Sequence, residues 1–232
     1  MKKTIQRVLA AVILFAMILS GGFSEVGKVH AEKQQGTTKR AIYVVFDNSG
    51  SMYGDGNKAW SQATYAMEVF AAMMNYESGD VMKVFPMHDI TTDGNTGSAT
   101  KSSMEIRGKD DIAQIHNMYT PKPGGTPYTQ VNNAAGELTK LLNAGSVDEG
   151  WLVVLTDGDF DNDIPASGLK ADLEGKAAAN ENLYVQYLAI GTDVENIPEG
   201  NADKGLYAQK AGNTSEVVNE LAEISNRIFQ EK

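Results

Sequence analysis

Residues 41–52 read Ala41-Ile42-Tyr43-Val44-Val45-Phe46-Asp47-Asn48-Ser49-Gly50-Ser51-Met52. A run of apolar, partly β-branched side chains stops at Asp47, and two hydroxyls follow at alternate positions, Ser49 and Ser51. A short, continuously apolar run of this kind predicts a strand buried on both faces, as in a parallel sheet. Its end delivers one carboxylate and two serine oxygens to a single loop. Hard divalent cations take oxygen ligands of this kind, so the loop is a candidate cation site.

Outward from this stretch, strands and helices alternate. The apolar spacing of Ala63, Met67, Phe70 and Met74 predicts a helix over 58–74. A second strand is expected over 81–86, after the turn Ser78-Gly79-Asp80. Asp93-Gly94 marks a tight turn, so 103–107 is expected to return as an antiparallel edge strand, followed by a short helix over 110–119. Pro127 suits the first position of the next helix, whose stripe is Val131, Ala134, Leu138 and Leu141. Further strands are predicted over 151–155, 183–190 and 206–208, with helices over 169–179 and 214–229. This alternation predicts one α/β domain, a doubly wound and mostly parallel sheet flanked by helices on both faces.

Two later segments carry hard oxygen ligands. Gly124-Gly125-Thr126 forms one loop, and Leu155-Thr156-Asp157-Gly158 again ends an apolar strand with a carboxylate. In the common strand order 3-2-1-4-5-6, strands one and four are neighbours where the winding reverses, and ligands bind beyond the carboxyl ends of strands at that point. Asp47 and Asp157 are therefore expected to flank one crevice.

The order Asp-x-Ser-x-Ser, then Thr, then Asp closely resembles the metal-ion-dependent adhesion site (MIDAS) of the von Willebrand factor type A (vWA) family. The resemblance runs from about Lys39 to Phe229. It implies that Ser49, Ser51 and, in the ligand-competent state, Thr126 touch a metal directly. Asp47 and Asp157 would then hold its coordinated waters. It also implies that the cation accepts an acidic residue of a partner protein. An oxygen-only set with retained waters points to Mg²⁺, with Mn²⁺ or Ca²⁺ as substitutes. The two glycines before Thr126 would lend that loop backbone freedom.

Each residue also has a plainer use. Ser49 or Ser51 suits the cap of the first helix, Thr126 before Pro127 suits the next, and Asp157-Gly158 suits a turn. Asp159, Asp161 and Asp163 continue the alternation from Asp157, but an EF-hand loop needs Gly and Glu where Asn162 and Gly168 stand. That segment reads as a solvated acidic loop. His88 and His116 lack any nucleophile elbow and read as surface or packed histidines. Six methionines between Met52 and Met87 read as core filler.

Met1-Lys2-Lys3 and Arg7 precede the apolar run Val8 to Leu19, which is short of the ~20 residues a membrane span needs. Residues 1–31 therefore read as a secretory signal with cleavage after Ala31, 32–39 as a linker, and 40–230 as the domain. Retention of the leader as an anchor is the alternative, and the one route by which the chain would meet a membrane. The remaining chain carries 16 basic and 29 acidic residues, a net charge of −13. Such acidity opposes binding to nucleic acid and to anionic surfaces. With no cysteine in the chain, neither disulfides nor a lipid-modified cysteine is available. These features fit a bacterial protein that is secreted or displayed at the cell surface.

Two other functions compete with adhesion. A phosphohydrolase of the haloacid dehalogenase type also places an Asp after its first strand, and Val44-Val45-Phe46-Asp47 with Asp157-Gly158-Asp159 fits superficially. That chemistry needs a second carboxylate two residues later as general acid and base, and residue 49 is Ser. A partner subunit of a cytoplasmic chelatase motor is disfavoured by the export signal. The reading is thus a metal-dependent binding domain, not an enzyme. The exported protein is expected to begin at Glu32, which intact-mass measurement of the secreted form would check; a mass retaining residues 1–31 would favour the anchor.

Overall fold

A computed structural model describes residues 38–158, 160, 164–191 and 197–229. The leader 1–31, most of the linker, and Asp159, Asp161 and Asp163 lie outside the described residues. Six strands form one sheet: β1 (Arg40–Phe46), β2 (Val81–Pro86), β3 (Met104–Ile106), β4 (Glu149–Thr156), β5 (Leu183–Ile190) and β6 (Leu206–Ala211). The order is β3-β2-β1-β4-β5-β6. Every pairing is parallel except β2 with β3, so the doubly wound sheet carries one antiparallel edge strand.

The two layers follow from strand alternation. Ile42, Val44 and Phe46 of β1, with Trp151, Val153 and Leu155 of β4, face α1 (Gly54–Met73), α2 (Ile112–His116) and α5 (Thr214–Phe229). Ala41, Tyr43 and Val45, with Leu152 and Val154, face α3 (Thr129–Asn143) and α4 (Ala166–Ala177). Because β1 and β4 are covered on both sides, their sequences are continuously apolar. Among the described residues, no helix is long and apolar enough to cross a membrane.

Element ends differ from the sequence expectation where tertiary contacts intervene. The first helix begins at Gly54, four residues before the expected start, directly after a 3₁₀ turn over Ser51–Tyr53. Glycines disfavour helix in isolation. Here Tyr53 stacks on Trp60 at 4.8 Å, and Trp60 lies 5.6 Å from Phe46, so the first turn is packed onto the core. The 110–119 helix is shorter than expected, because Tyr119 pairs its backbone with Thr91 in both directions. Pro127 does not open α3: the helix starts at Thr129, after buried Tyr128, whose hydroxyl bonds Asp172 at 2.6 Å.

The amino end of the sheet is tied by one carboxylate. Asp80, only 4% exposed, accepts the Arg40 amide at 2.9 Å and the Asn75 amide at 2.9 Å. It thereby links the start of β1 to the turn that enters β2. Asp80→Ala removes the acceptor of both part-buried amides and is expected to cost about 1–2 kcal/mol. Urea denaturation checks this; a midpoint equal to wild type would assign the tie no weight.

Candidate metal centre

The site forms where β1 and β4 leave the sheet side by side. Phe46 pairs with Leu155, and the Asp47 amide donates to the Leu155 carbonyl at 2.8 Å. Asp47 is therefore held one residue past its strand and is fully buried. One carboxylate oxygen, Oδ1, accepts the Ser49 amide at 2.8 Å, and Oδ2 accepts the Thr156 hydroxyl at 2.8 Å. Thr156 was not among the residues predicted from sequence. Its hydroxyl also receives the Gly158 amide at 3.2 Å, which fixes its orientation.

A line of hydroxyls joins the two strand ends. The Ser51 hydroxyl donates to Asp157 Oδ1 at 2.9 Å, and the Ser49 hydroxyl lies 2.9 Å from it. Since the Ser51 hydrogen goes to Asp157, Ser49 donates to Ser51. Neither serine caps a helix: the turn over Ser51–Tyr53 and α1 both start without a side-chain cap. The cap reading of Thr126 also fails, because α3 starts three residues later.

Thr126 comes in on the neighbouring loop. The Gly50 amide donates to the Gly124 carbonyl at 3.0 Å, which sets residues 124–126 against the Asp47 loop. Thr126 is 7% exposed, and among the described residues no hydrogen bond links it to Ser49, Ser51 or the aspartates. Gly124 serves a different purpose from the expected backbone freedom. Its φ is not in the left-handed region, but a Cβ there would sit 2.9 Å from His88 Cε1. A side chain at this position would displace the His88 ring.

The two carboxyl groups interact. Asp157 is pushed up from 3.8 to about 6, chiefly by burial and then by the negative charge of Asp47. The two groups also share a hydrogen bond, which favours the protonated form, while the Ser51 hydroxyl pulls the other way. Divalent cations suit this donor set: two carboxylates and two hydroxyls, all hard oxygens, with neither nitrogen nor sulfur in the cluster. Among the described residues, no group of three or more His, Cys, Asp or Glu side chains gathers that could hold a metal. Any cation at this centre would therefore depend on hydroxyl oxygens and water as well as on the two carboxylates.

No family model matches the sequence, and no curated protein matches it. Solved structures do. A von Willebrand factor type A protein from Catenulispora acidiphila is 17% identical, covers 81% of this chain and 42% of its own, and superposes with a TM-score of 0.55. The fold is vWA-like. The pilus adhesin SpaC from Lactobacillus rhamnosus GG matches at 16% identity over 84% of this chain and 31% of its own, TM-score 0.54. Proximal thread matrix protein 1 of the mussel byssus, with a zinc-occupied MIDAS motif, matches at 14% identity over 82% and 46%, TM-score 0.54. The chain spans less than half the length of each of these proteins.

The paired carboxyls of this vWA-like fold predict a pH response in the presence of chelator. The folded chain binds the Asp157 proton near pH 6, whereas an unfolded Asp binds it near 3.8. Between these values the native state holds more protons, so this group's contribution to stability is lost as pH rises from about 4 to about 6. Asp157→Asn removes that loss. Solvent screening at half-buried Asp157 leaves roughly 1 kcal/mol of this effect, so the difference in melting temperature, variant minus wild type, should grow by a few degrees over the range. A pH-independent difference would show that the folded chain does not hold Asp157 above its ordinary range.

Proposed function

We propose that this chain is an exported, metal-dependent protein-binding domain whose divalent cation sits between the ends of β1 and β4. The observation that carries this reading is the convergence of Asp47 and Asp157, with the Ser51 hydroxyl on Asp157 and the Ser49 hydroxyl 2.9 Å from Ser51, while the Ser49 amide donates to Asp47. Two carboxylates forced together repel, and a divalent cation removes that repulsion. Ser49, Ser51 and Thr126 would hold the ion directly, while Asp47 and Asp157 would orient its waters. Mg²⁺ fits best by ligand hardness, with Mn²⁺ or Ca²⁺ as substitutes.

Bound there, the cation would supply a positive charge that neutral hydroxyls leave largely uncompensated, so it would attract a carboxylate from a partner. The vWA-like fold supports a binding role, and adhesins appear among the proteins with this fold. Residues 1–31 would act as the export signal and 40–230 as the binding domain, in keeping with a secreted or cell-surface location. The chain's acidity argues against nucleic acid as the partner. Hydrolase chemistry lacks its second carboxyl group: Ser49 stands there, bonded to Ser51.

Saturating Mg²⁺, at about 100 times its Kd, should stabilise the folded chain by roughly 2.7 kcal/mol. Ser49→Ala and Ser51→Ala, both expected to fold, should lose most of this gain in thermal scans. Pull-down of extracellular proteins, with and without chelator and with Asp47→Ala alongside, tests the partner side. Capture that survives both treatments would remove the metal from the mechanism.

A further inference from the structure

A polar network that no motif foretells grips the crevice from its Thr126 side. Fully buried Asn48 employs its whole amide: Oδ1 accepts the His88 amide at 2.8 Å, and Nδ2 donates to the His88 carbonyl at 2.7 Å and to Thr120 Oγ1 at 2.8 Å. Both backbone polar groups of His88 are thus held by one side chain. The Tyr53 hydroxyl donates to the same Thr120 oxygen at 2.9 Å. Asn48 therefore fastens the loop after β2 and the loop after α2 to the end of β1.

The His88 ring then reaches the loop that carries Thr126. Nε2 lies 2.6 Å from the Gly125 carbonyl, and since a carbonyl only accepts, Nε2 carries the hydrogen. Gly124 packs against the same ring, which a Cβ there would displace. From the other side, Gly50 holds the Gly124 carbonyl at 3.0 Å. Residues 124 and 125 are clasped between the Asp47 loop and the His88 ring, and Thr126 is the next residue in the chain.

We propose that His88, fixed by Asn48, is the positioning residue that sets Thr126 against Ser49 and Ser51 and so tunes the affinity of this centre for a divalent cation. The inference rests on the metal-binding reading above. Its physical basis is preorganisation. A loop outside regular structure must lose backbone freedom to complete a cation site, and bonds already made in the free protein lower that cost. His88 supplies such a bond without touching the ion.

The test uses Mn²⁺ as the probe, its binding to the full chain at neutral pH followed by electron paramagnetic resonance. His88→Ala is expected to weaken Mn²⁺ binding about 3- to 10-fold, as for one lost neutral hydrogen bond. His88→Gln, whose Nε2 reaches a similar position and donates, should restore most of the affinity. Gly124→Ala, which forces ring and loop apart, should weaken binding like His88→Ala. Melting temperatures in chelator identify any variant that fails to fold. Equal Mn²⁺ affinity in folded His88→Ala and wild type would overturn the proposal, as would a folded His88→Gln no better than His88→Ala. Failure of the wild-type chain to bind Mn²⁺ would instead overturn the metal reading, and the proposal with it.

Discussion

The hydrogen bond from the Asp47 amide to the Leu155 carbonyl, at 2.8 Å, is the contact on which the candidate site depends. It is the last rung of the β1–β4 ladder, and it sets where the two strands release their chains into loops. The register behind it is strongly specified. A slip of one residue would move Ile42, Val44 and Phe46 into the opposite helical layer and expose the alternation to the wrong partners. Side-chain packing on both faces of the sheet thus fixes the placement of polar groups at its end.

This explains how two carboxyl groups are held in contact. Unit charges about 4 Å apart repel by roughly 4 kcal/mol at an effective dielectric near 20. Burial of one large apolar side chain contributes roughly 1.5–3 kcal/mol. Phe46, Val44, Leu155 and Val153, all fully buried, together contribute roughly 6–12 kcal/mol and so outweigh the repulsion. The residual conflict is relieved locally. Asp47 receives a backbone amide and the Thr156 hydroxyl, while Asp157 is eased toward its protonated form. The loops then need a second set of restraints, because no strand or helix orders them. Asn48 and His88 supply these by bonding backbone groups of the loops directly.

Much of this was legible in the residues themselves. The antiparallel edge and the β2, β5 and α5 boundaries follow from hydrophobic period and turn residues, since burial on one or two faces leaves a direct imprint on sequence, and the strand order is the common one for a doubly wound sheet. Element ends were less legible. The start of α1 depends on Tyr53 stacking on Trp60, and the end of α2 on Tyr119 pairing with Thr91. Both contacts join residues through space and leave no local signal. Within the site, Asp47, Ser49, Ser51 and Asp157 stood out because hydroxyls and carboxylates at strand ends are chemically conspicuous. Thr156 and Asn48 did not, since one looks like a strand residue and the other like a turn residue until their partners are known.

The sequence by itself determined the layered α/β architecture and the strand ends at which oxygen ligands emerge, because period and polarity encode which side of each element meets the core. Only the tertiary structure decided how those oxygens are joined. The Ser49–Ser51–Asp157 line, the Thr156 contact to Asp47 and the grip of Asn48 and His88 on the Thr126 loop all link segments 37 to 109 residues apart or depend on such links. Hydrogen bonds are short-ranged and directional. Which donor meets which acceptor is therefore set by the packed backbone, after the fold has brought distant loops to one end of the sheet.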